Sequence, residues 1–200
     1  MRYAGLDFGA TFVKAAVLDT TAGTLREVRR RTFPPFLTDR PAGYREVDAL
    51  QIVATSRALL EETMRLAPDC AGCWVSSQMH GVVLCDAQGR PGSPFISWQD
   101  QRSLTLVGGT SAFDAVTARL TKEDIGALGN ELRPGVALTT LAALRRDGAL
   151  ADGLYPTPLG DFVLANLGAM PPVTSPTQAA ALGAYDVAAG RWHESVLRRL

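Results

Sequence analysis

Three short clusters carry the groups that could do chemistry. The first is Asp7-Phe8-Gly9-Ala10-Thr11-Phe12-Val13-Lys14. Gly9 has no Cβ, so backbone N–H groups can come close to a ligand there. Successive N–H groups in a turn form a concave anion site. Thr11 adds a hydroxyl and Lys14 a point cation. Asp7 would repel a bare phosphate, so it fits beside one only if Mg²⁺ or the ion's water shell lies between. The set D-x-G-x-T-x-x-K reads as a clamp for Mg²⁺-bound phosphate, with Asp7 holding the metal through water. The alternative is an ordinary hairpin with an acidic residue at its turn. The second cluster is Gln78-Met79-His80 and the third is Trp98-Gln99-Asp100-Gln101-Arg102. Polar groups gathered at strand ends around an aromatic suit a small-molecule site. Amides and carboxylates hydrogen-bond hydroxyls and an indole face covers C–H groups, which is the mixture a sugar needs. The alternative is that Trp98 is core and Asp100 and Arg102 form a surface pair.

The elements that must position these groups follow from the apolar pattern. Tyr3 to Leu6 and Val13 to Leu18 are β-type runs joined by a short Gly-bearing turn, hence a hairpin. Ala22-Gly23 signals a second turn, and Thr24 to Phe33 a third strand that Pro34-Pro35 stops. Thr38 to Tyr44 is a loop. Asp48 can cap a helix over Ala49 to Leu66, with Leu50, Val53, Ala54, Arg57, Leu60 and Met64 as its apolar stripe. Gly72 to Ser77 reads as a buried strand with Cys73 a small buried residue within it. Val82 to Cys85, a turn at Asp86 to Arg90, and a strand into Trp98 follow. The order βββ, α, β points to a mixed sheet with helices packed on it. Further helices are expected at Phe113–Leu120, after Thr121 as a cap, at Leu138–Arg146 and at His193–Leu200, with a loop over Gly129 to Gly135.

Composition excludes several classes. The 200 residues are 46% hydrophobic and 20% charged, as in a globular domain with a real core. Lys plus Arg and Asp plus Glu number 20 each, and that balance argues against nucleic acid as a partner. Arg26, Arg29, Arg30 and Arg31 read as the wet face of a strand. No apolar run reaches the ~18 residues that span a bilayer, and no signal-peptide pattern opens the chain. Three cysteines, an odd number, fit a reducing cytoplasm. Cys70-x-x-Cys73 has no second pair for zinc. His193 follows Trp192 at a helix start and reads as a surface group.

Four blocks carry a family resemblance: LDFGATFVKAAVLD, SSQMHGVVLCDAQGRPGSPFISWQDQRS, LGDFVLANL and TSPTQAAALGAYDVAAGRW. In this order, over nearly the whole chain, they resemble the first lobe of FGGY-family carbohydrate kinases, α/β proteins with the actin-like, ribonuclease H-like ATPase fold. The resemblance implies one sugar-binding lobe over residues 1–200, and ATP- and Mg²⁺-dependent phosphorylation of a sugar or polyol hydroxyl. Asp7, Gly9, Thr11 and Lys14 would belong to the phosphate and Mg²⁺ loop. Gln78, Met79, His80, Trp98, Asp100 and Arg102 would face the sugar. Gln78-Met79-His80-Gly81 is similar to the xylulokinase and sedoheptulokinase-like members, where glycerol kinases carry an Arg-Glu pair, and this tilts the substrate toward a ketose.

Two departures bear on activity. Ser175 stands where most relatives carry the Asp that acts as general base, and a Ser hydroxyl cannot usefully accept that proton at neutral pH. Asp161 reads as structural, at the start of a helix, and Asp186 as structural in the strand after the Ser175 loop. The chain also stops where relatives continue into a nucleotide-binding lobe, so a C-terminal lobe or a second copy is the expected partner. A non-catalytic sugar-binding or regulatory remnant is the alternative. A third reading, an acetate kinase-like or hexokinase-like phosphotransferase, leaves the Trp98–Arg102 block unexplained.

Overall fold

Strict alternation in the first two runs sets the fold. In the computed structural model, which describes residues 1–129 and 132–200, Ala4, Leu6 and Phe8 of β1 (Arg2–Phe8) and Val13, Ala15 and Val17 of β2 (Phe12–Asp19) all point to one buried face. The intervening Gly5, Asp7, Lys14 and Ala16 lie on the other face, as a two-residue period requires. β3 (Thr24–Thr32) pairs antiparallel with β2 and is exposed along almost its whole length. Its arginines are the expected wet face, although Arg29 and Arg31 reach Glu62. β4 (Glu46–Val47) precedes α1 (Ala49–Leu66), and β5 (Cys73–Ser77) returns parallel to β1. The first sheet therefore runs β3-β2-β1-β5.

Asp48 caps α1 as expected, its carboxylate accepting from the N–H groups of Leu50 and Gln51. The helix is rotated from its expected phase. Ile52, Val53, Ser56, Leu59 and Thr63 are buried, whereas Leu50 is exposed. Ser56 and Thr63 can face the core because their hydroxyls donate to the carbonyls of Ile52 and Leu59, four residues back, at 2.6 and 2.8 Å. A backbone partner removes most of the cost of burying a hydroxyl. β5 also departs from expectation, because Cys73 and Trp74 are exposed. Among the described residues β5 is an edge strand of its sheet, which leaves Cys73 and Trp74 exposed.

β6 (Val82–Cys85) and β7 (Phe95–Ile96) join β4 in a second sheet. β8 (Leu106–Val107) and β9 (Thr110–Ser111) form a small hairpin before α2 (Ala112–Thr117). α3 (Lys122–Ala127) starts with a capping box in which Thr121 and Asp124 satisfy each other's N–H groups. Asn130 and Glu131, part of the expected loop at Gly129–Gly135, lie outside the described residues. α4 (Ala137–Arg146) leads to β10 (Tyr155–Pro158), which pairs with β6, and directly to α5 (Leu159–Gly168). α6 (Pro176–Ala181), the pair β11 (Tyr185–Asp186) and β12 (Arg191–Trp192), and α7 (Glu194–Arg199) complete the chain. The largest core packs α1 and α5 on one face of the first sheet through Ile52, Leu59, Phe162 and Val163 against Leu6, Phe8 and Val13.

α5 ends on Ala169 in the left-handed region, φ 50°. Glycine takes that conformation without a Cβ clash. Ala169→Gly is expected to raise stability by about 0.5–1 kcal/mol, read as a higher urea midpoint with an unchanged slope.

Candidate functional site

β1 and β5 run parallel, so Phe8 and Ser77 finish side by side. The residues that follow each strand, Gly9 to Thr11 and Gln78 to His80, must emerge at the same end of the sheet. Gly9 donates its N–H to the Phe12 carbonyl at 3.0 Å, and a Cβ at Gly9 would sit 3.3 Å from that oxygen. Its small size therefore lets the turn close. Ala10 and Thr11 are the exposed tip. Asp7 and Lys14 face each other across β1 and β2, Lys14 Nζ donating to Asp7 Oδ2 at 2.9 Å. Both side chains are half-exposed, so the pair adds little to stability and can exchange partners.

Gln78 ties the two loops together. Its N–H donates to the Phe8 carbonyl at 2.8 Å and its amide to the Gly9 carbonyl at 3.4 Å. A cavity of about 210 Å³ lies against this junction, lined in part by Thr11, Phe33, Gln78, Ser97 and Gln99. Asp7 and Lys14 instead line a groove of about 340 Å³ on the open face of the sheet, with Trp74 and Ser76. Thr11, Gln78 and Gln99 thus meet in one cavity, while Asp7 and Lys14 flank the neighbouring face.

His80 is buried and has φ 71°, a left-handed backbone uncommon outside glycine that histidine, like Asn and Asp, takes more readily than most residues. Its Nδ1 lies 3.0 Å from the Ala181 carbonyl. A carbonyl can only accept, so Nδ1 carries the hydrogen of that contact. Gly81 follows because a Cβ there would lie 2.5 Å from the Phe95 ring. Met79 and Trp98 are exposed.

Asp100 and Arg102 are neither surface groups nor open to solvent. They are 1% and 4% exposed. Arg102 donates to both oxygens of Asp100, at 2.8 and 3.0 Å, and to Glu46, while the Tyr44 ring lies 4.3 Å from its guanidinium. Arg40 holds the other Glu46 oxygen, and Asp100 also accepts the Arg45 N–H at 2.7 Å. The pair anchors the loop that presents Trp98 and Gln99. Gly135, φ 84°, presses on the same loop from beneath, where a Cβ would fall 1.9 Å from the Trp98 carbonyl oxygen.

Ser175 is the N-cap of α6. Its Oγ accepts from Gln178 N–H at 3.4 Å and lies 3.0 Å from the Thr177 hydroxyl. Asp161 is 7% exposed in the first turn of α5, and burial pushes its carboxyl up to about 6 against a hydrogen bond from Thr174 that lowers it. The Glu46 partner of Arg102 has no signal in the sequence. Glu46 lies 56 residues away, and no local pattern signals a pairing of that span. Among the described residues no cluster of three His, Cys, Asp or Glu could hold a metal ion, and no helix is long and apolar enough to cross a membrane.

Three comparisons bear on this arrangement. The model of the FGGY family of carbohydrate kinases, N-terminal domain, matches residues 2–139. A protein described as "Probable L-xylulose kinase" from Haemophilus influenzae is 31% identical over 109 residues, which are 52% of this chain and 22% of that protein. Among solved structures, a gluconate kinase from Lactobacillus acidophilus superposes with a TM-score of 0.83 at 19% identity, over 98% of this chain and 39% of its own. A "xyloylose kinase" from Brucella ovis gives 0.78 at 24% identity, over 100% and 41%. The likeness shows the actin-like α/β fold, and the chain spans about two fifths of the length of those kinases.

Proposed function

The chain belongs to the FGGY family of carbohydrate kinases, and from that premise we propose that it is the sugar-holding lobe of an ATP-dependent kinase acting on a hydroxyl of a ketose or polyol. The observation that carries the reading is the cavity in which the hairpin tip, Thr11, meets Gln78 and Gln99. Phosphate-facing and hydroxyl-facing groups then share one end of the sheet. Gln78 and Gln99 offer amides to sugar hydroxyls, with the His80 ring as a further hydrogen-bonding group. Met79 and the Trp98 face cover C–H groups. Asp100 and Arg102 serve by fixing the Trp98 loop, their own polar groups being spent on each other and on Glu46.

At the hairpin, Gly9 sets the turn that offers Ala10 and Thr11 to phosphate oxygens. A single half-exposed carboxylate, Asp7, fits Mg²⁺ held mainly by water and phosphate rather than by a protein cage. Lys14 neutralises phosphate charge when it leaves Asp7. When bound, the Mg²⁺-nucleotide supplies the phosphoryl group to be transferred. The nucleotide-binding half would come from a further lobe or a partner copy. The free thiols of Cys70, Cys73 and Cys85 favour the cytoplasm.

A second reading is a sugar-binding protein without turnover. It is favoured by Ser175, whose hydroxyl is committed to capping α6 where relatives are expected to carry a basic carboxylate. Thermal melts with a panel of ketoses and polyols test the proposal, together with ADP release by the chain alone and with a relative's nucleotide-binding half added. At least one sugar is expected to raise the melting temperature, and ADP release is expected only with the added half. His80→Asn, which tolerates the left-handed backbone, is expected to weaken that sugar on the order of tenfold while the fold is kept. If no ketose or polyol shifts the melt, the reading is wrong. If sugar binds and no added half gives turnover, the second reading replaces it.

A further inference from the structure

The register of the first sheet sets Arg30, Lys14, Asp7 and Ser76 in one row across its open face. β2 and β3 put Lys14 opposite Arg30, β1 and β2 put Asp7 opposite Lys14, and β1 and β5 put Asp7 beside Ser76. Residues directly opposite in a sheet share a face. The flanking positions follow the same rule. Val13 and Ala15, on either side of Lys14, are buried, and Arg31 and Arg29, opposite them, turn to the α1 side and reach Glu62 at 3.1 and 3.2 Å. Arg30 therefore lies on the face that Lys14 and Asp7 occupy. Among the described residues no carboxylate pairs with it, and its guanidinium sits 4.7 Å from the centre of the Phe12 ring. Phe12 opens β2 directly after the exposed Ala10–Thr11 tip, so the stack leans this cation toward the tip. Like charges set directly opposite each other cost a sheet stability. Lys14 has Asp7 to offset its charge, at 2.9 Å, whereas Arg30 has no such partner. A multiply charged anion at the hairpin tip would offset both cations at once.

We propose that Arg30 binds the phosphate chain of the nucleotide, an inference that rests on the kinase reading above and adds a residue from outside the D-x-G-x-T-x-x-K stretch. When phosphate reaches the Ala10–Thr11 tip, Lys14 exchanges Asp7 for a phosphate oxygen. Arg30, one strand further out, donates its N–H groups to oxygens further along the same chain. Arginine suits this place because its planar fork can donate to two oxygens while its flat face stays on an aromatic ring. Phe12 holds the guanidinium without using up any of its donors, as a carboxylate would. Both cations are open to solvent, so the contribution of Arg30 is modest and sensitive to salt. The chemistry recognised is a metal-bound chain of phosphates with no part played by the base. Inorganic tripolyphosphate with Mg²⁺ is therefore a sufficient probe.

The test is calorimetric titration of the chain with Mg²⁺-tripolyphosphate at low salt. The wild-type chain is expected to bind, and Arg30→Gln to raise the dissociation constant about 5-fold. Arg30→Lys is expected to recover part of that loss, since it keeps the charge and loses the fork. Arg26→Gln removes the same charge from the same strand, but Arg26 stands opposite Val17, a residue of the buried face. It is expected to leave the constant unchanged. The difference between wild type and Arg30→Gln is expected to close in about 1 M salt, where exposed charges are screened within roughly 3 Å. With a nucleotide-binding half added, Arg30→Gln is expected to raise KM for the nucleotide about 5-fold and to leave kcat as it was. Without ligand, Arg30→Gln is expected to melt no lower than wild type, because the repulsion with Lys14 is relieved. Equal binding by Arg30→Gln and Arg26→Gln overturns the assignment, and a lower melting temperature alongside it would mark Arg30 as a structural group. A wild-type chain that does not bind tripolyphosphate overturns it as well. Neither result touches the kinase reading, which depends on the sugar-dependent melts and ADP release described above. A chain that no ketose or polyol stabilises overturns that reading instead.

Discussion

Arg102→Met is expected to cost about 3–5 kcal/mol of folding stability, the usual loss when one member of a buried ion network is removed. For a chain of this length that is a drop in melting temperature on the order of 10 °C. Arg102 is 4% exposed, and its guanidinium lies between the carboxylates of Asp100 and Glu46 under the Tyr44 ring. Methionine fills the space and leaves two buried anions facing each other. Arg40 still holds Glu46, and the N–H groups of Arg45 and Arg102 still hold Asp100. The cost is therefore placed within the ordinary range and not above it. Lysine is expected to restore only part of it, because a point charge cannot bridge both carboxylates with a planar fork. Urea denaturation of the three proteins measures this. A loss below about 1 kcal/mol for methionine would mean the network is as dispensable as a surface pair.

Asp161→Asn is expected to do the opposite, stabilising the chain at pH 8 by about 1–3 kcal/mol, with the gain gone by pH 4. The sign follows from the raised pKa. Below the ordinary value of 3.8 the carboxyl is neutral whether folded or unfolded. Between 3.8 and about 6 the unfolded chain ionises while the folded one holds its proton. Stability is therefore lost as pH rises through that window and stays lost above it. A difference of about two units corresponds to about 3 kcal/mol at most, and the asparagine amide, itself short of partners, gives some of that back. Urea midpoints at pH 4, 6 and 8 measure the change. A gain of equal size at all three would show that the carboxyl is not ionised against its surroundings.

Much of the architecture was legible because it depends on short-range pattern. The alternation of Ala4, Leu6 and Phe8 gave β1 its buried face, and Asp48 announced α1. What failed did so for identifiable reasons. The stripe on α1 was misphased because Ser56 and Thr63 looked polar, and their carbonyl bonds made them core residues. Cys73 is exposed although its strand is apolar, because apolar sequence does not reveal that a strand lies at the edge. At the site, Gln78 and Thr11 meet because β1 and β5 run parallel and finish together, a pairing that no local pattern announces. The turning of Arg102 onto Glu46 was not legible either, because their encounter depends on how two distant loops close. Asp161 is placed by the sequence at a helix start, as observed, but its burial and unpartnered oxygen carry no local sequence signal.

The lack of a side chain at position 135 is what lets the Trp98 loop lie directly on the backbone beneath it, since the space a Cβ would need is already filled by a carbonyl oxygen. Any larger residue there would push the loop outward and carry the indole with it. Under the proposed sugar-holding reading, the side chains around the indole are therefore open to exchange while position 135 is not.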